Sequence, residues 1–274
     1  MKNDKIRKII EKYYLLLDFP KEYDKEFYEA LDTTEIPVDT DIETYDQKCT
    51  DGKRNLLSFL YMCEKLKKKF EDKSIPEHFF YESIAEIRKW TKVWTDIKGE
   101  LYLYQLDWLA LHFKCTIFRL GRLQFCMRDC NFDVPEKNLH KGDKVIDIHI
   151  PSGEKLCEKQ CKESIRLAKE FFTHYFPEYE YDYFICHSWL MDETLKEILP
   201  KESNIVKFQN LFEIYDMKKS DDILNYVFGW KMTRADLEGL EAKSSLAQKV
   251  KEHISDGGDF FIALGIIDKE KELI

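Results

Sequence analysis

The sequence predicts an α/β (α+β) chain, an N-terminal all-helical module followed by a mixed sheet with a central parallel strand–helix–strand crossover. Three observations predict it. Apolar residues recur at helical intervals through residues 1–113. Near Lys114 the pattern changes to short runs rich in β-branched and aromatic residues. Residues 144–189 then read as strand, long amphipathic helix and strand, an arrangement that closes as a right-handed parallel crossover. The expected domains are therefore residues 1–113 and 114–274.

The helical stripes come in order. Ile6, Ile10, Tyr13 and Leu17 form the first, and Leu56, Leu60, Cys63, Leu66 and Phe70 the second. Phe80, Ile84, Ile87 and Trp94 form the third, opened by Pro76. Leu103, Leu106, Ala110 and Phe113 form the fourth. Residues 33–51 are acidic and aperiodic and predict a loop with at most one short helix. Residues 115–125 (CTIFRLGRLQF) predict one strand, with Arg119 and Arg122 on opposite faces, where either could enter an ion pair or reach a phosphate. Gly142 and Asp143 close a turn. KVIDIHI (144–150) is the clearest strand, with Val145, Asp147 and His149 on one face and Ile146, Ile148 and Ile150 on the other. A helix carrying Cys157, Cys161, Ile165, Ala168, Phe172 and Tyr175 on one face follows and stops at Pro177. Residues 181–189 predict a strand, 191–199 a short helix with Asp192 in its first turn, and 203–216 a straight or bent strand. Helices near 221–228 and 244–253 precede a closing strand at 260–268.

Composition bounds the function. The chain has 274 residues, with 43 Lys and Arg against 52 Asp and Glu, a formal charge of −9. Nucleic acid, which needs a basic stripe, is not an expected partner. No window nears the roughly 18 apolar residues that span a bilayer, so no membrane is expected either. Charges run through the first 19 residues where a signal peptide would be apolar, which predicts a cytoplasmic protein. Eight cysteines in a chain this long predict free, mostly buried thiols. The spacings Cys126-x3-Cys130 and Cys157-x3-Cys161 do not suit zinc, and no metal is expected.

Ligands of open α/β sheets gather at the carboxyl ends of the strands. There the first crossover strand ends in His149 and runs through Ile150, Pro151, Ser152 and Gly153 into a helix N-terminus, whose free amides and dipole favour an anion. The second ends Cys186-His187-Ser188-Trp189. If the two strands are neighbours, His149 and His187 meet at one rim, either as working groups or as hydrogen-bonded structural histidines. Asp147 shares a face with His149 and could orient it as a general base; a solvated face or a salt link to an Arg is the plain alternative. Ser188 lies on the opposite face from His187, so the two make no triad. Cys186 lies inside an apolar strand, a poor place for a reactive thiolate. Trp90, Trp94, Trp108 and Trp189 could line a pocket.

These residues resemble bacterial acyltransferase-like proteins that join an N-terminal helical N-acyltransferase module to a GNAT-like C-terminal domain. The resemblance rests on residues 108–125, 145–156 (VIDIHIPSGEKL), 168–192 and 203–209, and extends weakly over nearly the whole chain. It implies acyl-CoA or acetyl-CoA as co-substrate, with the pyrophosphate at the turn 150–156, where Ile150, Ser152, Gly153 and Leu156 stand. It implies a pantetheine arm between strands that splay near Trp189. It implies direct attack of a small-molecule or peptide amine on the thioester, with His149 or Asp147 as base and His187 or Ser188 as the polar group at the splay. The acceptor and the oligomeric state stay open. The turn PSGEKLC has one glycine where the pyrophosphate loop of that fold carries two, Q/R-x-x-G-x-G/A. A second reading follows from it: a catalytically silent, GNAT-like ligand-binding or scaffold protein that has lost CoA.

Overall fold

The computed structural model describes residues 2–229 and 231–272. The chain divides into two compact units, one running up to Arg119 and the other from Leu120.

The first unit holds helices α1 (Lys2–Leu16), α2 (Asp24–Thr33), α3 (Gly52–Asp72), α4 (Glu77–Lys98) and α5 (Leu106–Phe113). Each stripe read from the sequence is buried, apart from Trp94, which is half-exposed. Local chemistry fixes the ends. Asp51 caps α3 by accepting from the Arg54 amide at 2.9 Å. Gly99 closes α4 in the left-handed region at φ 75°, where glycine carries no Cβ penalty. Tyr13, Phe27, Phe59, Phe70, Phe80 and Phe113 fill the core. The segment 34–51 contains turns and no helix, yet it is tied down: buried Asn55 accepts from Tyr45 and donates to the carbonyls of Cys49 and Leu103. That satisfies a buried amide at both ends.

Among the described residues six strands form one sheet in the order β1-β2-β3-β4-β6-β5. They are β1 (Ile117–Leu120), β2 (Leu123–Asp129), β3 (Lys144–His149), β4 (Tyr183–Ser188), β5 (Glu213–Lys219) and β6 (Phe261–Asp268). The helix α6 (Glu158–Tyr175) joins β3 to β4, and these two strands pair in parallel, as the crossover requires. The pairings β2–β3, β4–β6 and β5–β6 are antiparallel. Phe172 of α6 packs on Tyr181, which packs on Phe184, so α6 covers the face that carries Ile146, Ile148 and Phe184. Cys130, Val134 and Leu139 from the loop after β2 pack on the other face against Val145, Ile185, Leu264 and Ile266.

Three expectations are corrected. Residues 115–125 are two strands, because Gly121 turns the chain at φ 73°, a conformation disfavoured for side-chain-bearing residues. Arg122 is therefore a turn residue. Residues 203–216 are not one strand. Ser203 accepts from the Ile205 amide and starts the helix α8 (Asn204–Gln209), and β5 follows only at Glu213. The β-branched Ile205 and Val206 suit a strand by propensity, but burial of Val206 and Phe208 on one helical side decides otherwise. The short helix after β4 also splits. Trp189–Met191 is a 3-10 turn and α7 (Thr194–Ile198) follows, with Asp192 between them. The helices α9 (Asp222–Val227) and α10 (Ser245–Ser255) complete the unit.

Candidate functional site

The site is built at the carboxyl ends of β3 and β4. Their parallel ladder pairs Ile146 with Phe184 and Asp147 with Ile185. The strands themselves continue to His149 and to Ser188, past those pairs. Counted on from those pairs, the same offset matches His149 with His187, both beyond the last paired residues.

The cross-strand register puts Gln124, Cys126 and Arg128 of β2 opposite His149, Asp147 and Val145 of β3. With Ile185 and His187 of β4 they share one face. Asp147 is buried, and its Oδ2 accepts from Arg128 Nη1 at 2.9 Å. The same oxygen lies 3.6 Å from His149 Nε2. Burial holds the His149 imidazole below the ordinary histidine range, the Asp147 charge opposes that shift and the Arg128 charge adds to it. The ring is therefore neutral at neutral pH. A carboxylate beside Nε2 favours the tautomer protonated there and leaves Nδ1 with its lone pair.

His187 is exposed and stands opposite Leu264 of β6. Ser188 points its hydroxyl into the chain, accepting from the Leu190 amide at 3.1 Å, so it works as a cap. Trp189 stacks on Tyr226 with centroids 5.8 Å apart, beside an apolar cluster that includes Leu195, Ile223 and Phe260. Cys186 lies on the opposite face and is fully buried, and burial pushes its thiol well above the usual range, which makes it inert. Trp90 and Trp108 donate to one oxygen of the buried Glu86 within the helical unit, at 2.9 and 3.0 Å, and Trp94 meets Tyr104 edge-on.

After His149 the chain turns through half-buried Ile150, exposed Ser152 and Gly153, and buried Leu156. Gly153 is at φ 96°, and the space over its α-carbon is open. Cys157 precedes α6 without a side-chain cap, so the helix start offers its first amides to a ligand. A groove of about 770 Å³ along α6 is lined by Lys159, Lys162, Arg166, Lys169 and Lys271 together with Glu158, Glu163 and Glu272, and two of these cations are ion-paired, Lys162 to Glu158 and Arg166 to Glu163, both at 2.7 Å.

Sequence reasoning missed one residue that holds this frame, Arg128, and named two others, Arg122 and Asp192, without the roles they have here. Arg128 anchors Asp147; the period-2 alternation of β2 carries that signal, but only once the register with β3 is known. Arg122 is buried and donates to the carbonyls of Lys155 at 3.0 Å and Glu154 at 2.8 Å, which pins the turn before α6. Asp192 is buried and accepts from the amides of Thr194 and Phe261, tying the end of β4 to the start of β6. Burial raises the Asp192 carboxyl, against the lowering effect of those two amides. Among the described residues no group of three or more His, Cys, Asp or Glu side chains could hold a metal ion, and no helix is long and apolar enough to cross a membrane.

The sequence matches the family described as GNAT-like C-terminal domain over residues 117–267. Among solved structures the chain is similar to an acyltransferase in complex with decanoyl-CoA, with 27% identity and a TM-score of 0.67 over 78% of this chain and 65% of that one. It is also similar to an acyltransferase in complex with decanoyl-CoA and teicoplanin, with 24% identity and a TM-score of 0.68 over 78% of this chain and 66% of that one. A mutant acyltransferase in complex with octanoyl-CoA shares the fold at 20% identity, with a TM-score of 0.74 over 94% of this chain and 88% of that one. The chain spans about two thirds of the length of the first two. The comparison with curated proteins finds no match.

Proposed function

The chain belongs to the GNAT-like C-terminal domain family, and from that premise we propose that it is an acyl-CoA-dependent N-acyltransferase. The observation that carries the reading is the place where the β3–β4 ladder stops, with the His149 imidazole beside the Asp147 carboxylate on one side and a helix start without a side-chain cap on the other. The 27%-identical acyltransferase with decanoyl-CoA supports an acyl-CoA as the co-substrate.

In this reading the pyrophosphate meets the amides of the turn held by Arg122 and the first turn of α6. The groove along α6 carries five cations against three carboxylates, a local excess of positive charge that favours an anionic donor in a chain of net charge −9. The pantetheine arm lies where β3 and β4 part. The acceptor amine attacks the thioester carbonyl carbon. His149 takes the amine proton at Nδ1, and Asp147 steadies the imidazolium that forms. The C–S bond then breaks as the C–N bond completes, and the imidazolium returns its proton to the departing thiolate. His187 is the polar group at the far side of the splay. Ser188, already engaged as a cap, contributes through its backbone position.

Thermal denaturation with acetyl-, octanoyl- and decanoyl-CoA tests the reading. A ligand at 100 times its Kd stabilises by about 2.7 kcal/mol. Absence of any shift across these lengths overturns it. The single glycine of the turn favours a silent binding protein instead. That protein would release no free CoA thiol with any amine offered, whereas the transferase releases one thiol per amide formed.

A further inference from the structure

We propose that Arg128 is a positioning residue of this site, fixing the Asp147 carboxylate against the His149 imidazole. The inference rests on the transferase reading and goes beyond it by assigning a role to a residue that touches neither substrate.

The geometry is a relay on one sheet face. Arg128 Nη1 and His149 Nε2 approach the same oxygen, Asp147 Oδ2, at 2.9 and 3.6 Å. Arg128 lies diagonally across the β2–β3 register, with Cys126 directly opposite Asp147. Its own strand is held from outside. The Tyr179 hydroxyl donates to the carbonyls of both Arg128 and Val145, at 2.9 and 3.1 Å, which clamps β2 to β3 beside the ion pair. A plain surface ion pair would have both partners in water and contribute little. Here Asp147 keeps only 6% of its side chain exposed. A buried carboxylate needs a cation, and the cation that satisfies it also fixes which way its second contact faces. Without Arg128 the carboxylate would be free to turn, and the imidazole would lose its fixed tautomer.

Groups from both neighbouring strands face His149. From β2 come Gln124, Cys126 and Arg128, and from β4 come His187 and, on its other face, Cys186. Lys144, at the other end of β3, sits over the Tyr179 ring, 5.2 Å from its centroid. Of the charges that act on the ring, Asp147 raises its affinity for a proton and Arg128 lowers it.

The test is an NMR titration of the His149 ring together with the pH profile of acyl transfer, in the full chain and in Arg128→Gln and Arg128→Lys. Removing the cation leaves Asp147 uncompensated, so in Arg128→Gln the His149 midpoint moves up and the acid limb of kcat/KM moves with it. kcat/KM falls about 10- to 100-fold, mostly in kcat. Arg128→Lys restores the midpoint and part of the rate. If Arg128→Gln does not fold, Asp147→Asn must move the midpoint down. A His149 midpoint unchanged in the folded variants overturns the proposal. If the wild type acylates no amine, the transferase reading fails and the proposal's role in transfer fails with it. A shifted midpoint would then establish only that Arg128 holds Asp147 and His149.

Discussion

His149→Gln keeps a polar side chain at the end of β3 and removes the lone pair that takes a proton. Transfer should fall by about 10²- to 10⁴-fold, while the melting-temperature shift caused by decanoyl-CoA stays as in the wild type. Loss of both would mean that the residue holds the fold, not the proton. The pH dependence follows from the direction of the same shift. The folded ring binds its proton less tightly than a histidine in the unfolded chain, whose midpoint is about 6.5. Transfer should stay level from neutral pH down to that range and fall below it, as the imidazole charges. Stability should fall over the same window, because the unfolded chain takes up the proton first. Measuring kcat/KM and the urea midpoint between pH 8 and pH 5 checks both. At this scale the shared face of Asp147 and His149 was legible in the sequence, because alternation along one strand needs no partner. Arg128 was not. Its closeness to Asp147 depends on how the 14 residues from 130 to 143 fold between β2 and β3, and no local pattern encodes that register.

Between elements the decisive contact is the turn from β3 into α6. Its shape comes from a side chain more than 30 residues away in sequence: Arg122, whose guanidinium holds the carbonyls of Glu154 and Lys155 while its amide donates to Ser164 of α6. Arg122→Ala strips charge-assisted bonds from two carbonyls. Each such bond is worth about 1.5–3 kcal/mol, so the melting temperature should drop by several degrees. Acyl-CoA binding should weaken further than the lost stability explains, since the amides of the turn lose their aim. Calorimetric titration with decanoyl-CoA under conditions where the variant is folded separates the two effects. Substituting Glu for both Lys159 and Lys162 should instead raise the KM for acyl-CoA at low salt with little change in kcat, a difference that narrows as salt screens the groove. The helical module was readable because 3.6-residue periodicity is a long, redundant signal. The stretch from Ser203 to Gln209 was not. Six helical residues give less than two turns of pattern, and the Ser203 cap was outweighed by the β-branched pair that follows it.

Across the whole molecule the sharpest question is where the chain can be cut. The sequence places a boundary before Lys114, and the compact units part at Arg119. The strand β1 lies across that second point, with Ile117 and Phe118 before it and Leu120 after it. Phe118 is buried and packs on Phe70 of α3, 5.9 Å between centroids, while β1 is also the end strand of the sheet, next to β2. A fragment from residue 121 would leave β2 as the edge, a seven-residue strand whose first four residues are buried in the full chain. Such an edge exposes unpaired backbone groups and apolar side chains together and invites strand-to-strand association. A fragment from residue 114 keeps β1 as the edge but bares Phe118. The expected order of solubility is therefore 114–274 with Phe118→Ser first, 114–274 second and 121–274 last. Light scattering of the three at equal concentration measures it. If the 121–274 fragment proved as monodisperse as the others, β1 would be an ornament of the helical unit and not a guard of the sheet. The site on β3 and β4 would then stand on a five-stranded core.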